Sequence, residues 1–189
     1  GSVNLNESIE IPETVTSIGS YAFAYCQSLT EVTIPDEVTE LGDHAFASCY
    51  KLEACELPDQ LTGIGEYAFA YCDKLTGIAL PESMTTLGAG AFYDCDGLTE
   101  LVIPEGITVI EKDTFYSCEN LVGVELSENL TSIINCDFTI SVDITAHACC
   151  FILYAFKQGC CSENCLCIQQ VNFSVCITIA INDCGVNQG

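Results

Sequence analysis

Few residues of this chain have the types and spacing that a catalytic site requires. His44 and His147 are the only histidines, and neither stands at a recognisable spacing from a serine or cysteine nucleophile. The segment from Gly63 to Ala68 reads GIGEYA. It loosely matches a dinucleotide-binding loop but lacks the strand-to-helix unit that such a loop joins. We therefore expect no catalytic, metal or cofactor site, and the sequence does not predict an enzyme.

The charge of the chain limits its partners. The 189 residues include 27 Asp and Glu but only four Lys and Arg, which gives a formal net charge of −23. Nucleic acid and anionic membrane surfaces repel a polyanion, so both are excluded as partners. The longest tight apolar run, at 149–156, is far shorter than the roughly 20 residues that span a bilayer, and no signal segment is visible. We expect no membrane insertion.

A period of 23 residues organises most of the chain. Six units begin at Ser8, Glu31, Ala54, Gly77, Glu100 and Gly123. The recurring residues are Pro12, Pro35, Pro58, Pro81 and Pro104; Thr16, Thr39, Thr62, Thr85, Thr108 and Thr131; Phe23, Phe46, Phe69, Phe92, Phe115 and Phe138; and Cys26, Cys49, Cys72, Cys95 and Cys118. A unit of this length cannot bury its own apolar face. The fixed period therefore predicts stacked units with internal ladders of like side chains, which is a solenoid.

Each unit is predicted to contain two extended segments and one helical turn. The apolar residues of LTEVTIP at 29–35 stand three and then two apart, which favours a short parallel strand that ends at the proline. The apolar pair of VTSI at 15–18 indicates a second extended segment, closed by a turn at Gly19. Phe23 and Cys26 are three residues apart, the spacing of one face of a single helical turn. The predicted fold is an α/β solenoid with short parallel strands and single-turn helices.

The repeat reads IPxxVTxIGxxAFxxCxxLxxV and resembles the BspA-like, or treponemal-type, leucine-rich repeats. The resemblance covers residues 8–145. It implies a secreted or surface-exposed module that acts in adhesion or protein interaction. Residues 146–189 lie outside the repeat and contain only two of the carboxylates. We expect them to form a Cys-rich C-terminal cap, because a terminal unit must seal the end of a solenoid.

The cysteines fall into two groups. Those of the repeat register, together with Cys55, are predicted to be free thiols that pack as small buried apolar groups. The tail holds an even number of closely spaced cysteines, which favours disulfides and an oxidising compartment. Zinc bound by the thiolates within 160–167 is an alternative, and reduced packing is a third. The candidate disulfide cysteines are Cys149, Cys150, Cys160, Cys161, Cys165, Cys167, Cys176 and Cys184.

Recognition of a protein partner is the function that remains. Outward side chains of stacked strands come from the first and third positions of each unit, and here they are mostly acidic or small. We expect this acidic face to bind a basic protein, with the tyrosines of the YAFAYC segments as further contacts. The predicted binding residues are Glu10, Glu31, Thr33, Glu56, Glu100, Val102, Glu125, Tyr21, Tyr25, Tyr67 and Tyr71. The predicted location is extracellular or at the cell surface.

Two alternatives to this function stay open. The acidic face also fits a solvated surface that merely keeps the protein soluble. Few residues precede the first unit, which suggests instead a structural subunit that stacks head-to-tail into an oligomer or filament. Asn6, Asn129 and Asn172 stand in glycosylation sequons, which are used only in a eukaryotic secretory route.

Overall fold

Consecutive 23-residue units stack as layers in parallel register. The computed structural model describes residues 8–127 and 129–134, which are five full units and the start of the sixth. Ser8 pairs with Glu31, and Glu31 pairs in turn with Ala54, so each step along the sheet is one period. The predicted register is therefore confirmed. The predicted cap at 146–189, with its candidate disulfides, lies outside the described residues.

Ten short strands form two walls of the solenoid. They are β1 (Ser8–Glu10), β2 (Glu31–Thr33), β3 (Glu40–Leu41), β4 (Ala54–Glu56), β5 (Gly63–Ile64), β6 (Thr86–Leu87), β7 (Glu100–Val102), β8 (Val109–Ile110), β9 (Gly123–Glu125) and β10 (Ser132–Ile133). The first wall contains the sheets β1-β2-β4 and β7-β9, and the second contains β3-β5-β6 and β8-β10. Both predicted extended segments are thus present. In the fourth unit, residues 77–79 of the first wall are not in a strand.

A turn at the proline position joins the two walls. The N–H of Val15 donates to the carbonyl of Pro12 at 2.9 Å, and the N–H of Val38 donates to that of Pro35 at 3.0 Å. Ser127 replaces proline in the sixth unit, where the N–H of Leu130 donates to its carbonyl at 3.2 Å. The turn therefore depends on its position in the layer and does not need the proline ring.

Close contact between layers explains the glycine that follows the second wall. A Cβ atom on Gly65 would lie 2.6 Å from the backbone nitrogen of Asp43, and one on Gly88 would lie 2.5 Å from the carbonyl carbon of Gly65. In the first unit, by contrast, a Cβ atom on Gly19 would meet nothing within 4 Å. At Gly65 and Gly88 the backbone of the previous layer thus occupies the space of a side chain, whereas Glu111 and Ile134 stand at this position in the fifth and sixth units.

The YAFAYC segment is not a helical turn, so that prediction is wrong. Tyr21 and Tyr25 have φ values of 60° and 63°, in the left-handed region that a right-handed helix excludes. Their N–H groups donate to the next layer, from Tyr21 to Asp43 at 2.9 Å and from Tyr25 to Ala47 at 2.8 Å. These amides are therefore paired across layers, and no helix occurs in the described part of the chain. The segment forms the third wall.

The core between the walls is a set of continuous ladders. Phe46, Phe69 and Phe92 are fully buried. Neighbouring rings stack with centroids 5.1 Å apart between Phe23 and Phe46 and 5.4 Å apart between Phe46 and Phe69. Phe23, in the first described layer, is only partly buried. Burial of apolar surface between layers is the main stabilisation that a repeat of this size can obtain.

Candidate functional site: the strand wall and the aromatic wall

The first wall presents an acidic surface, which we name the strand wall. Val32 and Leu101 point into the core, and the residues on either side of each point into solvent, so the predicted alternation is confirmed. All the predicted binding residues on this wall are exposed, namely Glu10, Glu31, Thr33, Glu56, Glu100, Val102 and Glu125. None of the described lysines belongs to this wall. Its carboxylates therefore have no basic neighbour on the same surface.

The carboxylates of the strand wall are spaced apart by small or hydroxylated residues. The hydroxyl of Thr33 donates to a carboxylate oxygen of Glu56 at 3.1 Å. Glu10 and Glu56 stand two layers apart in the same column, with Thr33 between them. Gly77 and Ala79 lie in the fourth unit, between the strands that carry Glu56 and Glu100. This arrangement limits like-charge repulsion between neighbouring layers.

The threonine column lies on the second wall, outside the core. The hydroxyl of Thr62 donates to the carbonyl of Thr39 at 3.0 Å, and that of Thr131 donates to the carbonyl of Thr108 at 2.9 Å. These side chains thus hold adjacent layers together and satisfy backbone carbonyls.

The repeat cysteines and Cys55 are free thiols, as predicted. The sulfhydryl of Cys72 donates to the carbonyl of Phe46 at 3.4 Å, and that of Cys118 donates to the carbonyl of Phe92 at 3.0 Å. Burial raises the pKa of Cys49 and of Cys118 to about 12. Since the thiolate is the reactive form, these cysteines are structural. The described residues include no group of side chains that could hold a metal ion.

The third wall carries a ladder of aromatic rings, which we name the aromatic wall. His44 is stacked between Tyr21 and Tyr67, with ring centroids 4.7 Å and 5.3 Å apart and planes within 10°. His44 thus packs between two tyrosine rings, whereas His147 lies outside the described residues. Further along, the Tyr93 ring contacts Tyr71 at 5.4 Å with tilted planes. Ring contacts therefore join Tyr21, Tyr67 and Tyr71 through His44 and Tyr93, whereas no ring contact among the described residues includes Tyr25.

Sequence reasoning missed two features of the aromatic wall. Tyr93 and Tyr116 stack at 4.9 Å. They stand where Ala24, Ala47 and Ala70 stand in earlier units, and this departure from the repeat was their only signal. Ser48 is the other missed residue. It takes the place of a tyrosine between Tyr25 and Tyr71 and is buried.

A comparison with protein families agrees with this architecture. The sequence profile of the BspA type leucine-rich repeat region matches six copies within residues 2–122 and 62–184. The chain belongs to this family. Proteins of the BspA type are generally protein-interaction or surface proteins. No curated protein sequence matches the chain.

Solved structures show the same fold. The leucine-rich repeat protein of T. pallidum is 30% identical, with a TM-score of 0.64 over 69% of this chain and 70% of that one. A leucine-rich cell surface protein from Faecalibacterium prausnitzii is 34% identical, with a TM-score of 0.61 over 65% of this chain and 32% of its own. A leucine-rich repeat protein from Eubacterium ventriosum is 31% identical, with a TM-score of 0.59 over 66% and 33%. This BspA-type chain spans about a third of the last two proteins.

The membrane prediction is tested only in part. Among residues 8–127 and 129–134, no helix is long and apolar enough to cross a bilayer. Of the predicted glycosylation sites, only Asn129 is described. Its side-chain amide donates to a carboxylate oxygen of Glu105 at 2.7 Å. Glycosylation of this residue stays a prediction.

Proposed function

We propose that this chain is a non-enzymatic, protein-binding or adhesion module of a secreted or cell-surface protein, and that the strand wall is its binding surface. The observation that carries the proposal is the row of exposed carboxylates on parallel strands, with no lysine among the described residues of that surface. A rigid surface of one charge sign attracts a partner of the opposite sign and steers its approach. The partner is therefore a basic protein.

Family membership supports a location outside the cell or at its surface. The related protein from Faecalibacterium prausnitzii is described as a cell surface protein. A solenoid of short parallel strands with a continuous core is also suited to a location outside the cell, because each layer is held in place by its neighbours and needs no cofactor. The repeat thiols do not conflict with this location, since they are buried and carry a raised pKa.

The proposal is tested by measuring binding of the immobilised chain to a panel of purified basic and acidic proteins. We expect basic proteins of complementary shape to bind and the affinity to fall as the salt concentration rises, because salt screens the charges of an exposed surface. Binding that is confined to acidic proteins, or that does not change with salt, would contradict the proposal.

The aromatic wall supports a second candidate function, head-to-tail assembly. Its backbone hydrogen bonds between layers all run in one direction, with N–H groups that donate to the following layer. In the first unit, the carbonyls of Ser20, Ala22 and Ala24 accept no hydrogen bond from the described residues. Phe23 and Cys26 beside them are only partly buried. A further layer that presents N–H groups would complete both features, and in this second candidate function another copy of the chain supplies it.

The direction of these bonds makes the second candidate testable. Two first layers cannot pair with each other, since both present acceptors, so stacking must be head-to-tail. Sedimentation velocity over a wide concentration range distinguishes the outcomes. A series of oligomers that grows with concentration is expected for assembly, and a monomer at the highest concentration would contradict it.

A further inference from the structure

The parallel ladder of the strand wall is interrupted in the fourth unit. Residues 77–79 stand at the positions of β4 and β7 but are not in a strand. No hydrogen bond among the described residues involves their N–H or carbonyl groups. On the third wall, however, the N–H of Phe69 donates to the carbonyl of Ala91 at 2.9 Å, and that of Phe92 donates to the carbonyl of Thr114 at 3.0 Å. The fourth layer is therefore still held in the stack by its neighbours.

The space outside Gly77 is open. Gly77 and Ala79 are both exposed, and a Cβ atom added to Gly77 would meet nothing within 4 Å. The φ value of Gly77 is not positive, so neither the backbone nor the packing of this unit requires glycine. Glycine also weakens a strand, because it has no side chain to pack. Its presence is therefore better explained by what lies outside the strand wall.

The interruption leaves polar backbone groups that need a partner. Ile78 lies between Gly77 and Ala79 and is only 8% exposed. Backbone N–H and carbonyl groups in such a buried position are nearly always paired, with protein, ordered water or a bound molecule. An extended peptide carries both kinds of group along its length, so it can supply these hydrogen bonds.

One carboxylate stands on each side of the open space. The column of first strand residues reads Glu31, Ala54, Gly77, Glu100 in four consecutive layers. Both glutamates are exposed, and neither carboxylate takes part in a hydrogen bond or an ion pair among the described residues. Both are therefore free to bind a cation of a partner.

The column of third strand residues is less suited to a partner. There the carboxylate of Glu56 already accepts a hydrogen bond from the hydroxyl of Thr33 at 3.1 Å. Val102 stands between Glu56 and Glu125 in this column and is 56% exposed, so its side chain occupies part of the surface. The first column has only a methyl group and a hydrogen atom between its two carboxylates.

The spacing of Glu31 and Glu100 selects the conformation of a bound segment. Three layer steps of about 4.8 Å separate them, which gives about 14 Å. Four residues of an extended strand span about 13 to 14 Å, and the side chains of the first, third and fifth residues point to one face. A helix covers the same distance in about nine or ten residues, and residues that far apart lie on different faces of a helix. The carboxylates therefore match an extended segment.

We infer that Glu31 and Glu100 bind two lysine or arginine residues that stand four apart in an extended segment of a basic protein. The residue midway between these two faces Ala54 and Gly77, where the open space accepts an apolar side chain. The inference rests on the proposed function, because it names the kind of segment that the strand wall recognises.

The test is an NMR titration of the isotope-labelled chain with two blocked pentapeptides of the same composition. Lys-Ser-Val-Ser-Lys places its lysines on one face of an extended strand, whereas Lys-Ser-Val-Lys-Ser places them on opposite faces. We expect the first peptide to shift the amide resonances of Ala54 and Gly77. It should bind about 2- to 5-fold more tightly than the second, which can form only one of the two ion pairs. Equal affinity for the two peptides, or shifts confined to the other walls, would overturn the inference.

Two double variants locate the binding. One carries Glu31→Gln and Glu100→Gln, and the other carries Glu56→Gln and Glu125→Gln, so each loses two negative charges from the same wall. The first should bind Lys-Ser-Val-Ser-Lys about 3- to 10-fold more weakly than the unmodified chain, while the second stays within about 2-fold. Equal weakening would overturn the inference, because net charge alone would then explain the binding.

A substitution that fills the open space tests the position of the peptide. Gly77→Val should remove the preference for Lys-Ser-Val-Ser-Lys without loss of folding, since the added atoms begin in open space. Gly123→Val is the matched control. Gly123 stands in the same column beyond Glu100, and a Cβ atom on it would also meet nothing within 4 Å, so this variant should keep the preference. Loss of the preference in both variants, or in neither, would overturn the inference.

Failure of this inference and failure of the proposed function give different results. Salt-dependent binding of basic proteins without a preference between the two peptides would contradict the role of Glu31 and Glu100 as a pair, and would leave the strand wall as the binding surface. A clear preference between the peptides without binding of any basic protein would contradict the proposed function alone.

Discussion

The sulfur of Cys95 lies 3.0 Å from the carbonyl oxygen of Phe69, which belongs to the previous layer. The same contact recurs between Cys49 and Phe23 at 3.2 Å. The buried thiols of the repeat register therefore donate a hydrogen bond to the previous layer as well as filling space in the core. The period of the cysteines is explained by this bond, and it needs neither a disulfide nor a metal.

The first prediction concerns thiol reactivity. Brief treatment of the native protein with iodoacetamide at about pH 8 should modify Cys26 before the other cysteines of the described repeats, because Cys26 is only partly buried and reaction needs an accessible thiolate. Cys72 and Cys95 should react only after unfolding, since burial raises the pKa of both thiols well above 9.0. Peptide mass mapping measures the order. Modification of Cys72 as fast as Cys26 in the folded protein would refute this account.

The second prediction concerns alkaline pH. Burial raises the pKa of Cys49 and Cys118 from 9.0 to about 12 in the folded protein. Below about pH 9 the thiols are protonated in both states, so their burial has no cost. Between pH 9 and pH 12 they lose protons in the unfolded chain only. The free energy of unfolding should then fall by about 1.4 kcal/mol per pH unit for each such thiol.

Urea unfolding at a series of pH values measures this slope. Replacement of both Cys49 and Cys118 by alanine should reduce the slope by about 2.8 kcal/mol per pH unit, whatever the variant's stability at neutral pH. A slope that is the same in the variant and the unmodified chain would show that these thiols are not buried in the folded state.

The third prediction concerns the contact between layers at glycine. Gly65→Ala should lower the free energy of unfolding by about 2–4 kcal/mol, because its Cβ atom would lie 2.6 Å from the backbone of Asp43 and the layers would have to separate. Gly19→Ala is the matched control. It occupies the same position of the first unit with nothing within 4 Å of the added atom, so it should change stability by less than about 1 kcal/mol.

Denaturant unfolding of the two variants, measured side by side, checks this contrast. Similar losses in both variants would mean that glycine is required at this position for its own conformation and that the previous layer does not restrict it.

Much of the fold follows from the period of the sequence. The alternation around Val32 and the fully buried ring of Phe69 are determined by burial, and burial leaves a regular apolar pattern. The left-handed backbone conformation at Tyr25 leaves no such apolar pattern in the sequence. A separation of three residues, as between Phe23 and Cys26, places two side chains on the same side of the chain both in a helix and in successive turns. The spacing therefore fits both conformations.

The signal that distinguishes these two conformations lies in other units. Gly90 and Asp94 occupy the positions of Tyr21 and Tyr25, and glycine and aspartate are common where φ is positive. Tyrosine in the earlier units hides this preference.

The central claim is that the strand wall binds the partner, and a comparison of two triple variants tests it most directly. In the wall variant, Glu31, Glu56 and Glu100 are replaced by glutamine. In the control variant, the exposed loop residues Glu13, Asp36 and Glu82 are replaced by their amides. Each variant thus loses three negative charges, at different places on the molecule.

Surface plasmon resonance against a basic protein identified from the panel gives the decisive measurement. The account predicts that the wall variant binds roughly tenfold more weakly than the unmodified chain, a loss of about 1.4 kcal/mol, while the control variant stays within about twofold. Equal weakening of both variants would contradict the account, because net charge alone would then explain the binding.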